Sequence, residues 1–181
     1  HNPFLLHDMD KAVERILRAI TENQKIVIFS DYDCDGIPGA VVLHDFFVAV
    51  GFNNFYNHIP HRHYDGFGLS SNAVIKLKNE QNPELIITID CGTTDIEAVA
   101  IAKEKGIDVI ITDHHEPKET LPDAVAVVNP KVGDTYPFKG ICGATVIFKL
   151  VQALIAKGGF AISAGQEKWW LDMVGIATIA D

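Results

Sequence analysis

The hydrophobic residues of the chain follow two different spacings in turn. Between residues 10 and 20 they recur at helical spacing, as at Val13, Ile16 and Ile20, which predicts an amphipathic helix. Five short, nearly continuous apolar runs rich in β-branched residues then lie at 25–29, 54–60, 85–90, 108–113 and 124–130. Runs of this kind are typical of strands that are covered on both faces, as in a parallel sheet.

Helical patterns separate these runs. They lie at 37–50, 70–81, 94–105 and 142–157, and an apolar stretch at 167–181 follows them. This alternation predicts an α/β fold of the Rossmann-like kind, with a mostly parallel sheet of about five strands and helices on both faces. Ligands of such folds bind at the carboxyl ends of the strands.

Composition narrows the class of protein. The 181 residues, 48% of them hydrophobic, suffice for one globular domain with a large core. The net charge of -9 argues against a uniformly basic nucleic-acid-binding surface, although bound divalent cations would offset several carboxylates. No apolar run has membrane-spanning length and the first residues lack the features of a signal peptide, so we expect no membrane association.

The cysteines indicate the cellular compartment of the protein, and the chain ends indicate whether the sequence is a fragment. Cys34, Cys91 and Cys142 are too few and too scattered for a disulfide framework or a zinc motif, which favours a reducing, cytoplasmic compartment. The chain starts at His1 instead of a methionine and stops at Asp181, directly after an apolar helical pattern. We therefore expect a fragment of a longer protein.

The segment "SDYDCDG" places Asp31, Asp33 and Asp35 at alternate positions after the first predicted strand. Carboxylates this close repel one another unless a cation lies among them. An EF-hand loop is excluded because a strand precedes Asp31 and Val42 stands where that loop needs a glutamate. Any single aspartate here is equally well explained as a solvated turn residue or a helix cap, but the three together favour a metal site.

Two further predicted strands also end in an aspartate. Asp90 closes "LIITID", and Asp113 closes "DVIITD" directly before His114 and His115. Carboxylate and imidazole ligands together favour a transition metal such as Mn²⁺ over Ca²⁺. Because the carboxyl ends of parallel strands meet at one edge of a sheet, we predict two divalent cations with one aspartate shared between them.

Residues outside these clusters are candidates for substrate binding. Arg62, on the loop "HIPHRHYDGFGLS", has the guanidinium group that grips a phosphate through two hydrogen bonds. Gly140 and Gly143 open a predicted helix, where backbone N–H groups attract anions. Tyr64 and Phe67 are candidates for stacking on bases. The plainer alternatives are a solvated loop for the arginine, tight turns for the glycines and core packing for the aromatic residues.

Four motifs follow one another along the chain: "DYDCDG" from Asp31, "TIDCGTT" around Asp90, "DHH" from Asp113 and "GIATIAD" ending at Asp181. In this order they resemble the motifs of the DHH phosphoesterase superfamily. The segments "PFLLHDMDKAVERI", "IPHRHYDGFGLS", "VVNPK" and "ICGATVIFKLVQAL" are further similar to those of the RecJ-like single-strand-specific exonucleases. The resemblance spans nearly the whole chain.

The resemblance implies a set of ligands for each cation. For one ion they would be Asp31, Asp33 and Asp90. For the other they would be Asp35, Asp90, His114 and Asp181, so that Asp90 is shared; Asp172 is the weaker rival of Asp181. Asp113 would orient the site, and His115 would contact the scissile phosphate.

The resemblance also implies an activity, namely metal-dependent 5′-to-3′ hydrolysis of single-stranded DNA with Mn²⁺ or Mg²⁺ as cofactors and repair or replication proteins as partners. It places a substrate-binding domain after the DHH catalytic domain of residues 1–181. Two alternatives stay open: a DHH phosphodiesterase acting on short oligonucleotides or cyclic dinucleotides, and a non-catalytic relative that serves as a nucleic-acid-binding or replication scaffold. The full set of acids and histidines argues against the scaffold.

Overall fold

The computed structural model describes residues 1–62 and 66–181. The strands are β1 (Ile26–Ser30), β2 (Phe55–His58), β3 (Leu85–Ile89), β4 (Asp108–Thr112) and β5 (Ala126–Val128). The α-helices are α1 (Met9–Thr21), α2 (Gly36–Ala49), α3 (Ser71–Gln81), α4 (Ile96–Glu104), α5 (Gly143–Gly158) and α6 (Leu171–Ala180). Two 3₁₀ helices cover Pro3–Leu5 and Gln166–Trp170.

The five strands form one parallel sheet in the order β2-β1-β3-β4-β5. Ile26 of β1 pairs with Leu85 of β3, and Leu85 pairs in turn with Asp108 of β4. The direction in which strands are added changes between β1 and β3. In sheets of this topology, the carboxyl ends of the strands at such a switch point border the crevice in which ligands bind.

Helices cover both faces of the sheet, which confirms the predicted α/β class. All residues of β1 and β3 are buried. Ile28 and Ile87 pack with α1, α2 and α5 in one core, whereas Val27 and Ile86 pack with α3 and α4 in the other. The same strands serve both cores because successive side chains of a strand point to opposite faces.

Helix α5 approaches the end of β3 through a close contact with α2. A Cβ atom at Gly39 would lie 2.8 Å from Ile89 Cγ2 and 3.4 Å from Ala144 Cα. Glycine at this position therefore lets α2 and α5 pack tightly against each other and against β3. Helix α6 packs on α2 and α5 in turn.

The predicted elements are confirmed in their order, and their ends shift by a few residues. Strands β2 and β5 are shorter than the apolar runs that predict them, because they are the two outermost strands and pair on one side only. The apolar stretch at 167–181 divides into a 3₁₀ helix and α6. Within residues 1–62 and 66–181, no helix has the length and apolar character needed to cross a membrane.

Candidate metal centre

The candidate site lies at the carboxyl ends of β1, β3 and β4. Asp31 directly follows β1, Asp90 directly follows β3 and Asp113 directly follows β4. These strands are neighbours in the sheet, and Asp31 and Asp90 stand on the two sides of the switch point. The topology of the sheet thus brings together residues that are far apart in the sequence.

The turn after β1 is shaped by its own aspartates. The backbone N–H of Asp31 donates to the carbonyl of Ile89, which continues the β1–β3 ladder by one residue. Asp33 Oδ1 accepts a hydrogen bond of 3.0 Å from the backbone N–H of Gly36, where α2 begins. A Cβ atom at Gly36 would lie 2.7 Å from the carbonyl oxygen of Asp31, so only glycine fits this turn. Asp31 and Asp35 are each 1% exposed and therefore face inward.

Asp90 is the most buried acid of the site, with 0% exposure. Burial and the nearby carboxylate of Asp35 raise the pKa of Asp90 to about 11. Burial also raises the pKa values of Asp31 and Asp35 above the ordinary range. A positive charge among these carboxylates would compensate for their mutual repulsion and for the loss of water.

His114 reaches into the same space from the end of β4. Its Nε2 atom lies 3.1 Å from Asp90 Oδ1 and 3.5 Å from Asp35 Oδ2. On the other side of the ring, Nδ1 lies 4.0 Å from Asp181 Oδ2, at the end of α6. Asp172 is exposed, and its Oδ1 accepts a hydrogen bond from the backbone N–H of Met173. The structure therefore places Asp181, and not its rival, beside His114.

Groups of potential ligand atoms meet here. Within the described part of the chain, three sets have ligand atoms within 4.8 Å of one another. They are Asp31–Asp33–Asp90, Asp35–His114–Asp181 and Asp90–His114–His115. The first set contains the three ligands that the resemblance implies for one ion. The second set contains three of the four ligands implied for the other ion and lacks Asp90.

The hydrogen bonding of the site fits a bound cation. Among the described residues, several buried polar atoms of the cluster have no hydrogen-bond partner, namely Asp31 Oδ2, Asp35 Oδ1, both carboxylate oxygens of Asp90 and His114 Nε2. His114 Nε2 and Asp90 Oδ1 are close enough for a hydrogen bond, but their geometry does not satisfy one. Buried polar atoms are rarely left unpaired, and this donor set of carboxylates and one imidazole suits Mn²⁺ or Mg²⁺.

Asp113 and His115 form a separate, hydrogen-bonded pair. His115 Nδ1 lies 2.7 Å from Asp113 Oδ1, which also accepts from the backbone N–H groups of His114 and His115. Although burial opposes ionisation of Asp113, the hydrogen bonds from His115 and Thr93 lower the pKa of Asp113 to about 2. The bond to Asp113 raises the pKa of His115. Because Nδ1 is engaged in this way, Nε2 is the ring nitrogen of His115 that is left for another partner.

Arg62 lies at the rim of the site. Its guanidinium carbon stands 4.7 Å from the ring centroid of Tyr32, which lies between Asp31 and Asp33 in sequence. Phe67 is 63% exposed, and its ring meets His115 edge-on with a centroid distance of 5.9 Å. Tyr64 lies outside the described residues. Cationic and aromatic groups thus flank the acidic cluster.

The two candidate glycines differ in position. Gly143 is buried at the start of α5, and its backbone N–H donates to Asp35 Oδ2 at 2.6 Å. This donor therefore holds a carboxylate of the cluster itself. Gly140 lies in the exposed loop before α5, with Phe138 as its nearest side chain. The use of Gly140 for substrate stays a prediction.

Sequence reasoning did not single out two residues that the structure places around the site. Thr93 donates its backbone N–H to Asp113 Oδ2 at 2.9 Å. Asn129, directly after β5, is fully buried and hydrogen-bonds to Thr93. Both stand inside motifs that carry the resemblance, "TIDCGTT" and "VVNPK", and an asparagine directly after an apolar strand run is the signal that could have identified Asn129.

The sequence matches the DHH family, N-terminal domain, over residues 25–178. The chain belongs to the DHH family. This membership accounts for the order of the aspartate and histidine motifs around the switch point of the sheet.

Curated relatives resemble this DHH domain over its whole length. The single-stranded-DNA-specific exonuclease RecJ of Bacillus subtilis is 42% identical over 183 aligned residues, which cover 100% of this chain and 22% of that protein. The enzyme of the same name from Haemophilus influenzae is 37% identical over 99% of this chain and 32% of its own length. The DHH domain therefore spans less than a third of these relatives.

Solved structures show the same fold. A crystal structure of exonuclease RecJ bound to manganese aligns with a TM-score of 0.85 and 31% identity, covering 97% of this chain and 43% of that one. A structure of RecJ from Thermus thermophilus in complex with Mn²⁺ aligns with a TM-score of 0.81 and 28% identity, covering 97% of this chain and 24% of that one.

Proposed function

We propose that the chain is the catalytic domain of a metal-dependent exonuclease that releases nucleotides from single-stranded DNA with 5′-to-3′ polarity. The observation that carries the proposal is the buried cluster of unpaired carboxylate and imidazole atoms, in which two potential ligand sets lie side by side. Relatives named as single-stranded-DNA-specific exonucleases and a manganese-bound structure of the same fold support it.

In this proposal two divalent cations, Mn²⁺ or Mg²⁺, occupy the cluster. Asp31, Asp33 and Asp90 hold one. Asp35, Asp90, His114 and Asp181 hold the other. When bound, such cations lower the pKa of an attacking water and neutralise charge on the phosphoryl oxygens. The backbone N–H of Gly143 fixes Asp35 for this task.

Residues beside the proposed cation sites contact the substrate, namely His115, Arg62 and Phe67. Asp113 holds His115 by its Nδ1 atom, which leaves Nε2 to donate a hydrogen bond to a phosphate oxygen when the ring is protonated. Arg62 binds a phosphate of the strand from the rim, where the Tyr32 ring supports its guanidinium group. Exposed Phe67 offers a surface on which a base stacks.

The test is a comparison of substrates in Mn²⁺. Single-stranded DNA labelled at its 5′ or its 3′ end, short oligoribonucleotides and a cyclic dinucleotide are incubated in parallel with the protein and with its Asp90→Asn variant. We expect the 5′-labelled strand to lose its label first and the variant to be inactive. Loss of only the short or cyclic substrates would refute the exonuclease in favour of the short-oligonucleotide phosphodiesterase.

A direct measurement distinguishes the enzyme from a scaffold. Anomalous scattering from crystals soaked in Mn²⁺ should show two ions among the named aspartates and His114. A protein that takes up no Mn²⁺ would support the non-catalytic alternative. The cytoplasmic location, the partners in repair or replication and the substrate-binding domain after residue 181 stay predictions.

A further inference from the structure

Asn129 connects three loops at the carboxyl edge of the sheet. It follows β5 and has 0% exposure. Its Nδ2 atom donates to Thr93 Oγ1, in the loop after β3, at 3.0 Å and to the carbonyl oxygen of His115, in the loop after β4, at 2.9 Å. Its Oδ1 atom accepts from the backbone N–H of Lys131 at 2.8 Å.

These contacts fix the orientation of the amide. A backbone N–H donates only, so the atom of Asn129 that faces Lys131 must be the oxygen. The nitrogen must then face the Thr93 hydroxyl and the His115 carbonyl, each of which accepts one of its two protons. The amide is thus fully satisfied in one orientation and in no other.

The contacts also close a ring. The backbone N–H of Thr93 donates to Asp113 Oδ2 at 2.9 Å. Asp113 binds His115 Nδ1 at 2.7 Å, and the His115 carbonyl returns to Asn129 at 2.9 Å. A closed series of hydrogen bonds holds each of its members in one arrangement.

We propose that Asn129 is a positioning residue that fixes the imidazole of His115, through Thr93 and Asp113, for contact with the scissile phosphate. The proposal rests on the proposed function. The His115 side chain is 45% exposed, so packing alone does not hold its ring. The closed series of hydrogen bonds fixes the imidazole instead, because it holds both the backbone of His115 and the carboxylate of Asp113 that binds Nδ1.

The role differs from that of a metal ligand. The Oδ1 atom of Asn129, the one that could bind a cation, accepts from the backbone N–H of Lys131 instead. The side-chain bonds of Asn129 end on Thr93, His115 and Lys131 and do not reach Asp31, Asp35 or Asp90. Weakening the ring should therefore reduce turnover while leaving metal binding nearly intact.

The first test is Asn129→Asp, which keeps the shape of the side chain but replaces the two donated protons with an acceptor oxygen. Asn54→Asp is the matched control, because Asn54 Nδ2 also donates to a backbone carbonyl, that of Asn23, at the opposite end of the sheet. Kinetics on single-stranded DNA should show kcat reduced by about tenfold to a hundredfold with KM nearly unchanged. Mn²⁺ affinity, measured by calorimetry, should fall far less than kcat.

A second readout does not depend on activity. Long-range ¹H–¹⁵N spectra of the histidine rings in the metal-free protein, recorded above the pKa of the imidazole, report which nitrogen of His115 carries the proton. We expect the Nδ1–H form in the wild type and in Asn54→Asp, and a mixture of the two forms in Asn129→Asp. Should Asn129→Asp fail to fold, Thr93→Val breaks the same ring at another member with little change of shape.

Several outcomes would overturn the proposal. A folded Asn129→Asp with wild-type kcat and an unchanged His115 spectrum would do so. A fall in Mn²⁺ affinity that matches the fall in kcat would also overturn it, as would an equal loss in Asn54→Asp. If the wild type shows no nuclease activity, the proposed function fails, whereas the spectra still decide whether Asn129 orders His115.

Discussion

The close contact between Gly143 and Asp90 allows the effect of a substitution on Mn²⁺ binding to be predicted. Gly143 is the first residue of α5, and a Cβ atom there would lie 2.7 Å from both the Cβ and the Oδ1 atoms of Asp90. Ordinary van der Waals contact begins at 3.4 Å. Gly143→Ala must therefore push α5 or Asp90 away by about 0.7 Å, whereas metal–ligand distances tolerate only about 0.2 Å.

The size of the effect follows from this overlap. Placing an extra methyl group in a packed region destabilises a protein by about 1–3 kcal/mol. Alanine in place of glycine stabilises a helix by up to about 1 kcal/mol, so the net loss in the metal-free protein should be about 0–2 kcal/mol. Mn²⁺ affinity should fall much more, by about tenfold to a hundredfold, because Asp90, the proposed shared ligand, moves.

The assay combines calorimetric titration of Mn²⁺ with thermal unfolding in a chelator. Gly175→Ala is the matched control, since this glycine also lies in a helix and a Cβ atom there would meet nothing within 4 Å. The control should bind Mn²⁺ normally and gain about 0.5–1 kcal/mol of stability. Unchanged Mn²⁺ affinity in Gly143→Ala would refute the reasoning, because the site would then tolerate the displacement.

Further predictions concern Asp90 and Arg62. Asp90→Asn should abolish DNA cleavage, since both proposed ions lose a ligand; residual cleavage near the wild-type rate would contradict the shared role. Because the pKa of Asp90 is raised from 3.8 to about 11, the metal-free folded protein binds a proton that the unfolded chain releases. Its free energy of unfolding should therefore fall as pH rises from about 4 towards 11, and urea unfolding in a chelator should show a smaller fall for Asp90→Asn. Arg62→Lys should raise KM for single-stranded DNA about tenfold with little change in kcat, because lysine cannot form the paired hydrogen bonds; an unchanged KM would remove Arg62 from the substrate site.

The sequence allowed the framework of the site to be predicted. Continuous apolar runs require burial on both faces, which forces a parallel sheet and brings the carboxyl ends of its strands together. Asp31, Asp90 and His114 could therefore be placed at one edge before any coordinates were known. The structure brings them together there, with His114 Nε2 at 3.1 Å from Asp90 Oδ1.

Other parts of the site depend on tertiary contacts that leave no periodic pattern. The close approach of Gly143 to Asp90 depends on how α5 packs against the end of β3, and glycines at helix starts have several uses. The ring through Thr93 and Asn129 joins loops that follow three different strands. Spacing along the chain indicates which strand a residue follows, but not which side chains meet beyond the end of that strand.

The position of Asp181 makes the candidate metal centre depend on how α6 packs. Its partner in the cluster, Asp35, belongs to the turn after β1, so one ligand set joins that turn to the residue that follows α6. If α6 loosened from α2 and α5, that set would lose one of its members, whereas the set of Asp31, Asp33 and Asp90 contains no residue from α6 or beyond it. A substitution that loosens α6 should therefore weaken one of the two proposed cation sites and spare the other, although it alters no ligand.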